Sequence, residues 1–294
     1  MPLLTAYDVD ARRTKPVSVL AGNNTELGVG NGMAIDSDGS AYVIVYANAS
    51  TKSPLHFLAF EPNARGNVAP ERLTTLQGGL LAGYAVGLAL DGHGNFWISD
   101  IDKLMRYPLL AGKKAMPNGS IRLELQTPDG LLSAHSANVA TDSLGNVYCA
   151  CSVVYRGNQA SGVSEYAEAA KGKFRLVRSF YDTNLPDVPA STIAVDHSGT
   201  IYLASTLPNT GIFANRAGRQ SGLVHDWRHF ISDSATITYS LTTDSAGRVY
   251  AAAPGSIIVF GPHANGLVRP ERTIDDPRHI DYSGNDYGTL LSLY

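Results

Sequence analysis

The sequence predicts an all-β protein, a six-bladed β-propeller of four-stranded antiparallel blades, and two recurring patterns carry this prediction. In the first pattern an Asp is followed by a Gly three residues later and by an aromatic residue six residues later. It occurs at Asp36–Tyr42, Asp91–Trp97, Asp142–Tyr148, Asp196–Tyr202 and Asp244–Tyr250, with successive aspartates 55, 51, 54 and 48 residues apart. In the second pattern an aromatic residue ends a short apolar strand, at Tyr7, Phe60, Tyr107, Tyr166, Phe213 and Phe260. A four-stranded unit repeated about every 50 residues is typical of propeller blades.

Each Asp pattern is predicted to be the turn between the first and second strands of a blade. A short apolar run precedes the Asp, and an alternating run such as Ile201–Ala204 follows the Gly. Asp accepts hydrogen bonds from backbone N–H groups two or three residues on, and Gly supplies a left-handed residue. The segment Asp36-Ser-Asp38-Gly39 also resembles the opening of a calcium loop, but the pattern lacks the further oxygen ligands that such a loop needs. We therefore expect turns.

Six aromatic strand ends predict six blades in a single domain spanning residues 1–294. The blades are expected at about residues 21–76, 77–126, 127–181, 182–231 and 232–274, with the last built from 275–294 together with 1–20. In this shared blade, residues 3–7 and 15–20 would form the third and fourth strands, and residues 287–294 would supply inner strand. Pairing the termini would close the ring and remove open sheet edges. Two alignments of the final segment stay open, with either Asp281 or Ser292 at the turn position.

Composition argues against two classes of partner. The net charge is −3, and no run of basic residues exceeds two, so no nucleic-acid footprint is present. No apolar run reaches about 18 residues, so no membrane span is predicted. The start of the chain, Met1–Tyr7, lacks the charged and long apolar segments of a signal peptide and falls inside a repeat. We expect that a leader is missing from this chain and that the protein is secreted or periplasmic.

Two segments resemble the NHL-repeat β-propellers, in particular their secreted bacterial members. They are Asn138–Ala150, with the pattern A-x-D-S-x-G-N-x-Y-x-A, and Val259–Ile274, with F-x-P-x-A-N-G-x-x-x-P-x-R-T-I. The resemblance covers nearly the whole chain and implies the propeller fold. The wider group includes binding scaffolds, a peptide-amide lyase and, more distantly, lactonases and strictosidine-synthase-like enzymes. A shared fold therefore leaves the function open.

The resemblance also implies a possible calcium ion in the central channel, because related hydrolases hold one there with carboxylates and amides. The positions four residues before each turn Asp are small or polar and include no carboxylate: Gly32, Gly87, Asn138, Thr192 and Ser240. A hard cation needs several oxygen ligands, usually with carboxylates among them. We expect these small residues to reflect crowding around a narrow channel, and we predict no metal or other cofactor. A central calcium, with Asn31 and Asn138 contributing, stays the alternative.

Two further residue pairs are expected to have structural roles. Cys149 and Cys151 point to one face of a strand and do not make a disulfide framework, so packed thiols are expected, with a redox pair or a nucleophile as the alternative. His225 and His229 lie in a predicted fourth strand, where four residues span about 13 Å. Two imidazoles that far apart cannot share one zinc ion, whose bonds are about 2 Å long.

If the protein has a binding site, it is expected at the channel mouth, where the loops between second and third strands meet the loops that enter each blade. Ser152–Gly162 is the longest of these predicted loops, and its tip is polar and aromatic. Tyr and Arg supply rigid area with polar groups, which suits recognition of a peptide, a sugar or an aromatic group. The candidate binding residues are Tyr155, Arg156, Asn158, Asp100, Asp102, Tyr84, His135 and Tyr239.

The sequence favours a secreted or periplasmic binding module that recognises a small molecule, sugar or peptide at this mouth. A lyase or a lactonase-like hydrolase with its site at the same place stays open, as does a structural component of an envelope or extracellular assembly. No G-x-S-x-G elbow, P-loop or dinucleotide-binding G-x-G-x-x-G occurs in the chain. The sequence names no catalytic residue, and whether the protein is an enzyme stays undecided.

Overall fold

The structure, a computed structural model, is an all-β propeller. It describes residues 3–8, 15–28, 30–46, 54–80, 86–127, 129–182, 192–204, 211–216, 222–223, 227–232, 238 and 240–276. The chain opens with two paired strands, β1 (Leu3–Ala6) and β2 (Ser18–Ala21), which a short 3-10 turn at Asn23–Thr25 follows. Blade I contains β3 (Gly30–Ile35), β4 (Ala41–Tyr46), β5 (Leu55–Phe60) and β6 (Arg72–Leu76).

The second and third blades are separated by an inserted hairpin. Blade II contains β7 (Val86–Leu90), β8 (Asn95–Asp100), β9 (Lys103–Pro108) and, after the short β10 (Lys114–Ala115), β11 (Gly119–Arg122). The inserted hairpin is β12 (Glu124–Thr127) and β13 (Gly130–Ser133). Blade III is the longest and contains β14 (His135–Thr141), β15 (Val147–Tyr155), β16 (Asn158–Ala170) and β17 (Lys173–Asp182).

Two further four-stranded blades complete the described part of the chain. Blade IV contains β18 (Thr192–Val195), β19 (Thr200–Ala204), β20 (Ile212–Arg216) and, after the short β21 (Gly222–Leu223), β22 (Arg228–Ile231). Blade V contains β23 (Ser240–Thr243), β24 (Val249–Ala253), β25 (Ser256–Phe260) and, after the short β26 (Gly266–Leu267), β27 (Arg272–Asp275). In every blade the four long strands pair antiparallel in chain order.

Alternating apolar residues on both faces of each blade form the cores between blades. Between blades I and II, the rings of Phe57 and Phe96 stack with centroids 4.1 Å apart, and Tyr42 and Tyr107 extend the stack on either side. The hairpin β12–β13 buries Leu123 and Leu125 against the face of blade III that carries Cys149 and Cys151. Each stacked aromatic pair between blades I and II adds about 1 kcal/mol beyond the burial of its area. The blades are thus held face to face by side chains that the strand alternation places.

The Asp pattern forms the turn between the first two strands, as predicted. In blade III, Asp142 Oδ1 accepts the N–H groups of Leu144 and Asn146 at 2.9 Å, and Gly145 has a φ of 80°. The other four copies make the same two backbone hydrogen bonds. The donors lie two and four residues after the Asp rather than two and three. In four copies the turn Gly donates its own N–H to the Asp carbonyl, whereas in blade II His93 Nδ1 lies 2.7 Å from the Asp91 carbonyl oxygen.

The described residues form five four-stranded blades, so the prediction of six such blades is wrong for this part of the chain. The sixth aromatic strand end, Tyr7, directly follows β1, which among the described strands pairs with β2 alone. A count of aromatic strand ends includes the β1–β2 pair as a blade. The pair nevertheless lacks inner strands among the described residues. Residues 277–294, which were expected to supply the inner pair, lie outside the described residues.

The β1–β2 pair bridges the two ends of the row of blades. On one side, the Tyr7 hydroxyl donates to Asp276 Oδ2 at 3.2 Å, directly after the last strand of blade V. On the other side, Leu20 forms a parallel bridge with Gly66 of blade I, and the Ser18 hydroxyl donates to the Ala64 carbonyl at 3.0 Å. The pair therefore lies between blade V and blade I. In the described ranges no helix has the length and apolarity needed to cross a membrane.

Candidate functional site

The chain places the second-to-third-strand hairpins and the starts of the innermost strands at the same end of the propeller, opposite the Asp turns. Three of these hairpins are described: Asp100–Lys103 in blade II, Tyr155–Asn158 in blade III and Ala253–Ser256 in blade V. The hairpin of blade III extends furthest because β15 and β16 are much longer than their counterparts. This end contains the predicted mouth residues that the structure describes.

The segment Ser152–Gly162 is a continuation of the β-hairpin, which corrects the prediction of a long loop. Strands β15 and β16 stay paired up to Tyr155 and Asn158, leaving Arg156 and Gly157 as a two-residue turn. Both turn residues have positive φ, 50° at Arg156 and 80° at Gly157, as a type I′ turn requires. The alternating polar residues that suggested a loop belong to the exposed end of a long strand pair. The mouth therefore carries a rigid projection.

Arg156 at the tip of this projection forms a two-point ion pair with the inserted hairpin. Its Nε and Nη2 groups donate to the two carboxylate oxygens of Asp129 at 3.0 and 2.8 Å. The hydrogen bond from Arg156 lowers the pKa of Asp129, and the same pairing raises the pKa of Arg156. Both side chains are about half exposed or more, at 66% and 50%. The guanidinium is therefore held in place while still open to solvent.

Two tyrosines surround the charged pair. The Arg156 guanidinium lies 5.1 Å from the centroid of the Tyr155 ring, and Tyr155 packs edge-on against Tyr181 with centroids 6.0 Å apart. Burial, followed by the nearby Tyr155, raises the pKa of Tyr181. We call the group Asp129, Tyr155, Arg156 and Tyr181 the Arg156 tip. It combines a cation, an exchangeable anion and aromatic faces, contributed by the blade III hairpin, the inserted hairpin and β17.

The predicted mouth residues Asp100, Asp102 and His135, which the structure describes, do not join this tip. Asp100 has a fully buried side chain, which accepts the Ile101 N–H at 2.9 Å and lies 3.6 Å from Lys103 Nζ. Asp102 is exposed, and its carbonyl accepts the Leu123 N–H at the base of the inserted hairpin. His135 is exposed and pairs with Ser152, three residues before Tyr155, which is about 10 Å along the strand. The side chain of Asn158, and residues Tyr84 and Tyr239, lie outside the described residues.

Sequence reasoning missed Asp129 and Tyr181 as members of the tip. Asp129 lies in the inserted hairpin, which has no counterpart in the repeat, so alignment of the blades did not reveal it. The segment Thr127-Pro-Asp-Gly130 is a turn signature that would have predicted the hairpin. Tyr181 ends an outer strand, and only the packing of β17 beside β15 and β16 brings its ring to Tyr155.

The described inner-ring residues Gly32, Gly87, Asn138 and Thr192 supply no side-chain carboxylate for the calcium ion that the sequence left open as an alternative. Gly32 and Gly87 provide no side-chain ligand atom, and a Cβ added at Gly87 would lie 2.2 Å from Asn138 Oδ1. Asn138 Oδ1 accepts the Val139 N–H at 2.8 Å, and Thr192 Oγ1 accepts the Leu241 N–H of the next blade at 3.1 Å. These positions therefore serve close contacts between blades, as the crowding argument predicted. The Asn31 side chain lies outside the described residues.

The cysteine pair has the packed environment that was predicted. Cys149 and Cys151 are both buried in the core beneath the β12–β13 hairpin, and burial raises the pKa of the Cys151 thiol. His229 lies in β22 as expected, whereas His225 falls outside the described residues. Among the residues that the structure describes, no three His, Cys, Asp or Glu side chains converge as a metal site would require.

Comparison with known proteins supports the fold. No protein-family model matches the chain, and no curated protein matches it. The structure is similar to that of XC5397 from Xanthomonas campestris, a gluconolactonase, at 13% identity over 81% of this chain and 74% of that one, with a TM-score of 0.52. It is also similar to a protein of unknown function from Bacteroides caccae, at 10% identity over 80% and 72%, with a TM-score of 0.51. Such low identities show a shared β-propeller fold alone. The NHL-repeat resemblance stays a prediction.

Proposed function

We propose that this chain is an extracytoplasmic propeller, of the NHL-like kind, that binds an anionic small molecule, sugar or peptide at the Arg156 tip. The observation that carries the proposal is the two-point pairing of Arg156 with Asp129, at 3.0 and 2.8 Å, on an exposed turn. A guanidinium that binds one carboxylate through two parallel hydrogen bonds is also suited to bind the carboxylate or phosphate of a ligand. Asp129 thus occupies the place of the ligand's anion.

The energetics of the tip favour a binding role over a stabilising one. An arginine with a φ of 50° occupies the left-handed region, which costs a residue with a Cβ about 1–2 kcal/mol. An exposed ion pair returns about 0–1 kcal/mol, so the pairing with Asp129 does not offset that cost. Asn or Gly would form the same turn without the strain. Strained residues of this kind are concentrated at functional sites.

The aromatic groups indicate what else a ligand of the tip would contain. Tyr155 lies beneath the guanidinium, and Tyr181 fixes its ring from the side. Tyrosine rings bury large area at small entropic cost and take sugar or aromatic groups on their faces. A ligand with a carboxylate or phosphate next to a ring would use both parts of the tip. Uronic acids and peptides with an aromatic residue next to a free carboxylate have this chemistry.

The test is a binding screen by ligand-observed NMR. The probes are glucuronate, galacturonate, and N-acetylated Phe and Tyr with free carboxylates, together with their amides. We expect at least one acid to bind and its amide to bind about tenfold more weakly, because the charge-assisted hydrogen bonds are lost. Arg156→Ala should weaken binding to the same extent, and Arg175→Ala, an exposed arginine on the same blade, should leave it unchanged. Acids that bind both variants equally well, or no binding by any probe, would overturn the proposal.

A lactonase-like hydrolase is the second candidate, because the similar XC5397 is named as a gluconolactonase. The inner-ring residues that the structure describes offer no side-chain carboxylate for a metal, so a metal-dependent hydrolase would need ligands from elsewhere in the chain. Incubation with glucono-1,5-lactone, with and without added calcium, tests the candidate directly. Hydrolysis above the rate in buffer would favour the enzyme, and hydrolysis abolished by Arg156→Ala would place its site at the tip.

We also propose that residues 277–294 complete a sixth blade around β1 and β2. The position of β1–β2 between blades V and I, anchored by Tyr7 on one side and Leu20 on the other, supports this. A propeller closed in this way leaves no gap between blade V and blade I. Deletion of residues 277–294 should then lower the melting temperature by more than about 10 °C, as expected for loss of several kcal/mol in a domain of this size. A deletion without effect would refute the closure.

A further inference from the structure

Short segments cover the outer edges of most blades. The segment between the third and fourth strands of one blade adds parallel backbone pairing to the outer strand of the preceding blade, and we call each such segment an edge segment. β10 pairs with β6, β21 with β17, β26 with β22, and Gly66 with Leu20 of β2. An open strand edge is a template for another chain, and these segments remove that exposure.

Blade II lacks an edge segment among the described residues. Its outer strand β11 pairs with β9 and with no other described strand. The cause lies in blade III, where β16 and β17 are joined by a tight turn at Lys171 and Gly172 instead of a long connection. No residues are left in that connection to reach back to β11. Among the described residues the edge of β11 is therefore open, because the long strands of blade III are joined by a short turn.

The backbone groups at this open edge can be identified from the pairing. Leu123 donates its N–H to the Asp102 carbonyl at 2.9 Å, so this N–H faces the third strand of blade II. Backbone direction alternates along an antiparallel strand, so the N–H and C=O groups of Ser120 and Arg122 face away from β9. Both residues are exposed. One step further, the Glu124 N–H already donates to the Tyr166 hydroxyl, so the open stretch is Ser120–Arg122.

Arg122 occupies the place in β11 that receives an edge segment elsewhere. Counted through the paired strands from the turn Asp, it is the counterpart of Thr75 in β6. The Thr75 N–H donates to the Lys113 carbonyl, directly before β10, at 2.9 Å. Blade II thus has the corresponding N–H donor at Arg122. No segment corresponding to β10 is present beside it among the described residues.

We propose that the β11 edge binds an extended segment of a partner polypeptide, which pairs parallel to Ser120–Arg122 and contains a Gly followed by an apolar residue. We infer the sequence of the partner segment from the chain's own edge segments. Two of them, Gly222-Leu223 and Gly266-Leu267, consist of a Gly followed by an apolar residue. At Gly66 both the N–H and the C=O pair with β2, at 2.8 and 3.0 Å, and a glycine allows the close approach. This surface is separate from the Arg156 tip and does not depend on the function proposed for it.

The test uses a synthetic peptide with the sequence of residues 264–270, Ala-Asn-Gly-Leu-Val-Arg-Pro. In the intact chain Val268 donates its N–H to the Ile231 carbonyl, whereas the alternate residue Leu267 faces away. Methylation of the valine nitrogen should therefore weaken binding to the protein by about fivefold or more, through one lost hydrogen bond and a steric clash. Methylation of the leucine nitrogen is the matched control and should leave binding unchanged. Hydrogen exchange of the Arg122 amide should slow when the parent peptide binds.

A protein variant checks the location. Arg122→Pro removes the outward N–H without breaking a bond to β9, and Pro is tolerated at such edge positions. It should abolish peptide binding, whereas Arg122→Ala, which keeps the N–H, should bind normally. Ser120→Pro repeats the test at the other outward residue if the first variant fails to fold. Equal binding of the two methylated peptides, normal binding to both proline variants, or no binding of the parent peptide would each overturn the proposal, as would self-association of the protein through β11.

Discussion

The Tyr202 hydroxyl donates to Asp196 Oδ2 at 3.0 Å, across the turn between β18 and β19. Tyr42, Tyr148 and Tyr250 make the same contact with their own turn aspartates, at 2.7, 2.9 and 3.0 Å. In blade II, where Trp97 replaces the tyrosine, Asn95 Nδ2 donates to Asp91 Oδ2 instead, at 2.8 Å. One carboxylate oxygen thus serves the backbone and the other serves a side chain. This explains why a tyrosine stands six positions after the Asp in four of the five copies.

These tyrosines should make the protein sensitive to alkaline pH. Burial chiefly, and then the neighbouring aspartates, raise the pKa of Tyr42 and Tyr202 from 10.0 to about 12. A pKa raised on folding contributes stability that is complete below the unfolded value and is lost as the pH rises through the folded value. The free energy of unfolding, measured by urea titration, should therefore fall between about pH 10 and pH 12. Tyr202→Phe should make that fall shallower, and an unchanged slope in this variant would contradict the assignment.

Loss of a turn carboxylate should destabilise a blade. Asp142 accepts two backbone N–H groups, the Asn146 side-chain amide and the Tyr148 hydroxyl. We expect Asp142→Ala to lower the free energy of unfolding by about 1–2 kcal/mol, like the loss of other side-chain caps. Ser143→Ala, at an exposed position of the same turn, is the control and should change it by less than about 0.5 kcal/mol. Chemical denaturation measures both, and equal effects would show that the carboxylate is dispensable.

A pair of glycine substitutions should separate backbone strain from crowding in the channel. Gly87 and Gly92 both have positive φ, 82° and 68°. A Cβ at Gly87 would lie 2.2 Å from Asn138 Oδ1, whereas a Cβ at Gly92 would meet nothing within 4 Å. Both changes to Ala carry a similar strain, and the overlap should add about 1–3 kcal/mol at Gly87 alone. Thermal unfolding of the two variants tests this, and equal melting temperatures would mean that the contact between blades II and III relaxes freely.

Relief of the strained turn should stabilise the protein while removing its proposed binding residue. Arg156→Asn keeps the turn, because Asn tolerates the left-handed region, and it loses only an exposed ion pair. The free energy of unfolding should rise by about 0.5–1 kcal/mol. Arg156→Ala keeps the strain and should not rise. Urea denaturation of both variants checks the prediction, and a large loss of stability in Arg156→Asn would mean that the Asp129 pair holds the hairpin in place.

The fold was predictable because its signals are local and repeated. The turn formed by Asp142 and Gly145 depends only on residues within the turn, and period-two alternation places residues such as Cys149 on a core face. The blade count was less secure, because a strand end such as Tyr7 looks the same in a two-stranded pair as in a complete blade. The site was predicted only in part. Arg156 and Tyr155 were identified from composition, whereas Asp129 and Tyr181 reach them from other elements.

The sequence by itself determined the position of each Asp turn and the burial of the strand faces, because these depend on a spacing of six residues or fewer. It also determined the propeller architecture, because that local pattern repeats about every 50 residues. The tertiary structure alone decided that Asp129 pairs with Arg156 and that β11 has no edge segment among the described residues. These relations join residues from different blades or from an inserted hairpin. Their distances follow from how the sheets pack, and no local pattern encodes that packing.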